Sequence, residues 1–334
     1  MAQLIKLQDY ISRYQVDLTR YPTQYIRLKK GQWERVKKQW EQGGELQQWE
    51  HIEEEVESAS KLSVLRKFNV FSKRKKEQDV IVEDIESVDT SSELDSDEYV
   101  PDEETMLHFE ANILYHPQSL QELKRMYLNQ FFQFQMQWAS STLREKSYVD
   151  PRFIRDTFLR ALLQTLPDNY LILYYPIVKL KKAPIELDII IMMPTECLLI
   201  TVVEQEDQAV FIGDGERFWE KKVGKESKKV LNPTIQLNRM ETIVKQMFAA
   251  ENVDMPIRKV LLSRNGFIDY PSAVYNIQLV DKRKFPEWME SIRKSYSPMK
   301  HMQIRAAQSV LNYVQTTSFN RDIWQTNIEA EDNE

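Results

Sequence analysis

Glu186 and Asp188 stand two residues apart at the mouth of an apolar run, Pro184-Ile185-Glu186-Leu187-Asp188-Ile189-Ile190-Ile191-Met192-Met193. Residues two apart on a strand face the same side, so both carboxylates are expected to point one way. Acids at the entrance of so apolar a strand are costly unless they meet water, a cation or a metal. Paired carboxylates that hold a divalent metal polarise a phosphate and activate a water. Other chemistries find little support. The histidines are His51, His108, His116 and His301, which leaves none between residues 117 and 300. Cys197 lies in the middle of an apolar run with no histidine nearby, which disfavours a thiol nucleophile, and no Cys/His cluster suits zinc. The seven glycines form neither a P-loop nor a GxGxxG turn.

The element that must position the acids is a hairpin. A Pro194-Thr195-Glu196 break joins the first run to a second, Cys197-Leu198-Leu199-Ile200-Thr201-Val202-Val203. Runs of this length, rich in Ile, Leu and Val and bounded by proline, predict buried strands. Upstream, Asp150-Pro151 opens a predicted helix to Leu166, and Tyr170 to Lys179 reads as a strand. Downstream, Ala209 to Ile212 is a strand and Gly213-Asp214-Gly215 a turn, with Phe218-Trp219 on the returning strand. Asn232-Pro233 starts a helix to about Ala250. Strands over Ile257 to Ser263 and Ala273 to Val280 follow, then helices over Glu287 to Lys294 and Met302 to Val314. Helices alternating with strands around one sheet predict the α/β class.

Three motifs in this order carry a resemblance: Glu186-Leu187-Asp188, then Gly213-Asp214-Gly215-Glu216-Arg217-Phe218-Trp219, then Asn232-Pro233-Thr234-Ile235-Gln236. Over about residues 150–250 the chain resembles the nuclease-related (NERD) domain. The resemblance implies a PD-(D/E)xK-like fold, with a central mixed sheet flanked by helices. It implies Mg or Mn held by Asp188 with Glu186, Gln236 near the metal, and a further acid from the first helix, where Asp156 is the only acid inside. The family's next strand carries Glu-x-Lys, and here Thr201-Val202-Val203 stands in its place. Thr201 is a poor substitute for a carboxylate ligand and Val203 cannot be a cation. Losing one preorganised charged group costs about 3 kcal/mol of transition-state stabilisation, or roughly a hundredfold in rate. Glu204 is the nearest acid, but its odd offset from Thr201 places it on the opposite face unless a bulge intervenes.

Charge is unevenly spread. The 334 residues carry 45 Lys and Arg against 51 Asp and Glu, a net charge of −6. Residues 77–104 hold 13 acids and no basic residue, which predicts a disordered acidic linker. Residues 1–76 are basic and rich in aromatics, and their periodicity predicts amphipathic helices whose Tyr and Trp side chains form a core. Residues 105–147 predict a long helix from about Ser119, with Ser119 and Glu122 as a capping box. Residues 148–320 form the nuclease-related unit and 321–334 a frayed tail. The apolar run Phe131 to Met136 must be covered by the chain itself or, as a homo-oligomer through residues 119–138, by a second copy.

Lys221, Lys222, Lys225, Lys228 and Lys229 make the loop after Trp219 basic and the best candidate for touching phosphate. One cysteine, no signal-peptide layout and no apolar run of membrane-spanning length predict a cytoplasmic protein. Three functions fit: a catalytically degenerate nuclease-related domain that binds nucleic acid or protein, a metal-dependent nuclease with an atypical site, and an oligomeric scaffold. The Thr201-Val202-Val203 departure places the degenerate domain first.

Overall fold

The computed structural model describes residues 1–42, 109, 111, 117–142, 145–180, 183–204, 206–270, 276–294 and 297–317. The acidic linker, the basic clusters Arg66-Lys67 and Lys73-Arg74-Lys75-Lys76, Trp49, and the C-terminal tail beyond residue 317 lie outside these residues.

In chain order, β1 (Gln3–Leu7) and a short 3-10 turn precede α1 (Arg20–Glu41) and α2 (Leu120–Ala139). Next come α3 (Pro151–Ile154), α4 (Thr157–Thr165), β2 (Leu171–Tyr174), β3 (Ile177–Val178), β4 (Ile185–Glu186), β5 (Ile189–Met192) and β6 (Cys197–Val202). Then follow β7 (Val210–Ile212), β8 (Phe218–Val223), β9 (Glu226–Leu231) and α5 (Pro233–Ala250). The last elements are β10 (Ile257–Leu262), β11 (Phe267–Asp269), β12 (Ile277–Val280), α6 (Phe285–Lys294) and α7 (His301–Leu311).

Six strands form the central sheet in the order β1-β2-β5-β6-β10-β12. The pairs β1–β2, β6–β10 and β10–β12 are parallel, while β2–β5 and β5–β6 are antiparallel, so the sheet is mixed. A second sheet, β11-β7-β8-β9, stands beside it. This is the α/β, nuclease-like architecture expected from the sequence. The apolar runs lack hydrophilic alternation because both faces of the central sheet are covered. Leu173, Ile190 and Leu199 pack in one core with Leu237, Val244 and Ala307, from α5 and α7. Ile172, Ile191 and Leu198 pack in another with Leu159, Leu162 and Trp288, from α4 and α6.

The N-terminal region departs from the helical reading at its start. Gln3–Leu7 is a fully buried strand paired with β2, with Ile5 in one core and Leu4 and Leu7 in the other. Five residues carry too little periodicity to distinguish a strand from a helical turn. The aromatics behave as core: Tyr10, Tyr14, Tyr21 and Tyr25 are buried, and Trp138 Nε1 donates to the Tyr14 hydroxyl at 3.1 Å.

Helix α2 starts at Ser119, whose hydroxyl accepts from the Glu122 amide at 3.2 Å. The Glu122 carboxylate accepts from the Gln118 amide at 2.8 Å, one residue earlier than a capping box requires. Phe131, Phe132, Phe134 and Met136 are buried against the chain's own residues. The face that the sequence left open to a second copy is therefore covered internally. No helix among the described residues is long and apolar enough to cross a membrane.

Candidate functional site

The β5–β6 register builds the site. Ile189 pairs with Ile200, so the next residues outward, Asp188 and Thr201, stand opposite each other. The Thr201 hydroxyl donates to Asp188 Oδ2 at 2.5 Å. Helix α5 closes the site from one face of the sheet. It begins at Asn232, whose side chain accepts from the Thr234 amide, with Pro233 in its first turn. Gln236, in that first turn, acts on the Asp188 carboxylate in the same sense as Thr201, favouring its ionised form. Burial pushes the Asp188 carboxyl above its usual range, and Thr201 and Gln236 oppose that shift without cancelling it.

Glu186 and Asp188 do not share one strand. The chain breaks at Leu187, which leaves Glu186 in the β3–β4 ladder opposite Ile177, exposed to solvent. Asp188 lies just ahead of β5, and its carbonyl accepts from the Tyr175 amide at 3.2 Å. The single strand that the two-residue spacing presupposes is interrupted between Glu186 and Ile189. Val203, on the same side as Thr201, packs against the α5-side core and offers no polar group.

Glu204 is taken by Arg264. Arg264 Nε reaches Glu204 Oε1 at 2.6 Å, Nη2 reaches Oε2 at 2.7 Å, and the Arg264 amide donates to Oε1 at 2.8 Å. The same guanidinium lies 4.6 Å over the ring of Phe158, which belongs to the α4-side core. Asp156 is not inside a helix. It separates α3 from α4 and caps α4, accepting from the Phe158 and Leu159 amides at 2.8 and 3.0 Å. Its other oxygen accepts from the Tyr174 hydroxyl at 2.6 Å.

Tyr175 sits at the centre of these acids. Burial and the charges of Asp188, Asp156, Glu186 and Glu204 push its phenol up to about 12. Sequence reasoning missed Tyr175 and Arg264, since neither belongs to a motif. Only the β2–β5 pairing and the loop after β10 bring them to the acids. Among the described residues, no group of three or more His, Cys, Asp or Glu side chains is placed to share a metal ion.

The lysines lie on the β8–β9 hairpin, which is rooted on α5 through the Asn232 amide and the Arg217 carbonyl, 3.0 Å apart. Lys222, Lys225, Lys228 and Lys229 are exposed. Lys222 pairs with Glu220 at 3.3 Å and Lys228 with Glu226 at 3.6 Å. Lys221 faces the other way. It alternates inward with Trp219, is buried, and donates to Glu206 Oε2 at 2.7 Å, so it does not belong to a phosphate-contacting set.

The family model of the nuclease-related domain (NERD) matches residues 153–263. Residues 153–263 form a nuclease-related domain. The span runs from α3 through β10 and contains Asp188, Thr201, the hairpin and Gln236. Strands β1 and β12 complete the central sheet from outside it. A 41-residue stretch is 56% identical to an RNA 2',3'-cyclic phosphodiesterase of Geobacillus stearothermophilus, over 12% of this chain and 13% of that protein. No solved structure matches the chain.

Proposed function

We propose that the nuclease-related domain of this chain is catalytically degenerate and serves as a nucleic-acid-binding module. The hydrogen bond from Thr201 to Asp188 carries this reading. A Mg or Mn site needs oxygen lone pairs from several ligands directed at one point. Around Asp188 the neighbours are donors: the hydroxyl of Thr201 and the side chain of Gln236. They supply to the carboxylate the positive polarity that a cation would supply. Glu204, the acid that a bulge would have to deliver, is held by two guanidinium nitrogens and a backbone amide. The residues present do not fit the metal that the family implies.

Binding is supported by the β8–β9 hairpin. It carries Lys222, Lys225 and Lys229 in the open, with Arg217 5.7 Å over the exposed ring of Phe218. Exposed cations beside an exposed aromatic suit a phosphate backbone and its bases. The test is a titration of fluorescent single-stranded oligonucleotide with the full chain at several salt concentrations, with and without Mn²⁺. The expected result is salt-sensitive binding without cleavage, weakened uniformly across sequences when Lys225 and Lys229 are changed to Glu. Failure to bind, or Mn²⁺-dependent cleavage abolished by Asp188→Ala, would overturn the proposal.

A further inference from the structure

A cavity of about 390 Å³ is lined by Gln8, Arg152, Phe153, Asp156, Tyr175 and Glu186. It lies where the parallel strands β1 and β2 end, at their carboxyl ends, where open α/β sheets accept ligands. Two of its residues, Gln8 and Tyr175, hold left-handed backbone at φ 39° and 49°. Non-glycine residues adopt this conformation at a cost, and such strain concentrates at ligand-binding positions. The Gln8 amide bonds the Tyr174 carbonyl at 3.0 Å, which ties the two strand ends together.

The lining is mixed rather than simply acidic. Arg152 lays its guanidinium 4.6 Å over the ring of Phe153 and donates to the Gln8 side chain at 2.9 Å, so one wall is a flat, oriented donor plane. Tyr175 supplies a half-buried ring. Asp156 has both oxygens engaged, by two helix amides and the Tyr174 hydroxyl. Glu186 is the lining carboxylate exposed to solvent, and no described side chain is bonded to it. A ligand for this cavity must be planar, offer adjacent N–H donors to a carboxylate, and offer acceptors to a guanidinium. It must not be anionic, because Asp156, Asp188 and Glu186 all act on the space around Tyr175.

We propose that this cavity takes one unstacked guanine base of a bound single strand. Guanine fits the requirement. Its N1–H and N2–H₂ donate side by side to the Glu186 carboxylate, its O6 and N7 accept from Arg152, and its ring stacks on Tyr175. Adenine presents a lone pair at N1, which the Glu186 carboxylate repels. The phosphates stay outside the cavity, in solvent. This inference rests on the nucleic-acid-binding reading and names the base that the domain selects.

The experiment is fluorescence anisotropy of the full chain with thymidine oligomers that carry one central guanine or one central adenine. It is run on the wild type, Glu186→Gln and Tyr175→Leu, with circular dichroism confirming each fold. The wild type should hold the guanine oligomer about tenfold tighter. Glu186→Gln should abolish that preference and leave adenine-oligomer affinity in place, while Tyr175→Leu should weaken the guanine oligomer. Equal affinity for both oligomers, untouched by Glu186→Gln, would overturn the guanine pocket and leave the binding module standing. No binding of either oligomer would overturn both.

Discussion

The chemistry open to Asp188 is set by what surrounds its carboxylate. Asp188 is held by donors, yet burial still lifts its pKa. At neutral pH its ionised form is therefore disfavoured in the fold relative to the unfolded chain. Asp188→Asn should raise the melting temperature at pH 7. As pH falls through the raised pKa, the wild-type carboxyl takes a proton and the penalty is lifted, so the two proteins should converge at acid pH. Differential scanning calorimetry over pH checks both the sign and the convergence. Thr201→Glu is the complementary change. It places a second carboxylate opposite Asp188, so Mn²⁺ should raise the melting temperature of the variant and leave the wild type unchanged. The Thr201-Val202-Val203 departure was readable in the sequence because the hairpin register is. The partners of Glu204 and Asp156 were not, since Arg264 lies sixty residues away and the cap depends on a break between α3 and α4.

At the scale of elements, α5 is held to β10 by a buried ion pair as well as by apolar packing. Lys259 is 3% exposed, and its ammonium reaches Glu241 at 2.6 Å and the Asn238 side chain at 2.8 Å. Removing one partner leaves a buried charge uncompensated, so Glu241→Ala should cost about 3 kcal/mol in urea unfolding. Lys259→Met, which removes the charge itself, should cost less. The β7–β8 connection is fixed by close approach. A Cβ on Gly213 would stand 2.5 Å from the indole of Trp219, itself fully buried. Gly213→Ala should cost about 1–3 kcal/mol through overpacking and shift the near-ultraviolet dichroism of the Trp219 environment. The sequence showed this turn and its tryptophan, because turn residues and aromatics mark hairpins locally. It did not show β11, whose three residues are fixed only by parallel pairing with β7.

At the scale of the molecule, the sequence carried the α/β class, the hairpin, α2, α5 and the two C-terminal helices, all long or strongly periodic. It missed that the first residues complete the central sheet. Lys6 on β1 illustrates why. Its ammonium is buried and bonds the Tyr10 carbonyl at 2.6 Å and the Gln15 and Thr316 side chains at 2.9 Å each, joining both ends of the described chain. A lysine in a short strand reads as solvated surface until tertiary structure encloses it. Burial brings its pKa down to about 7 from 10.5. Between those values the unfolded chain binds the additional proton, so stability should rise with pH across that window. Lys6→Met should flatten that rise in chemical-denaturation curves recorded at a series of pH values.

Calorimetric titration of the full chain with Mn²⁺, with the wild type and Asp188→Ala side by side, decides whether this site has lost its metal. The donor-lined Asp188 described above predicts no binding heat attributable to this site, and therefore matching traces for the two proteins. Binding heat in the wild type that disappears in Asp188→Ala would contradict a degenerate site and return this domain to metal-dependent chemistry.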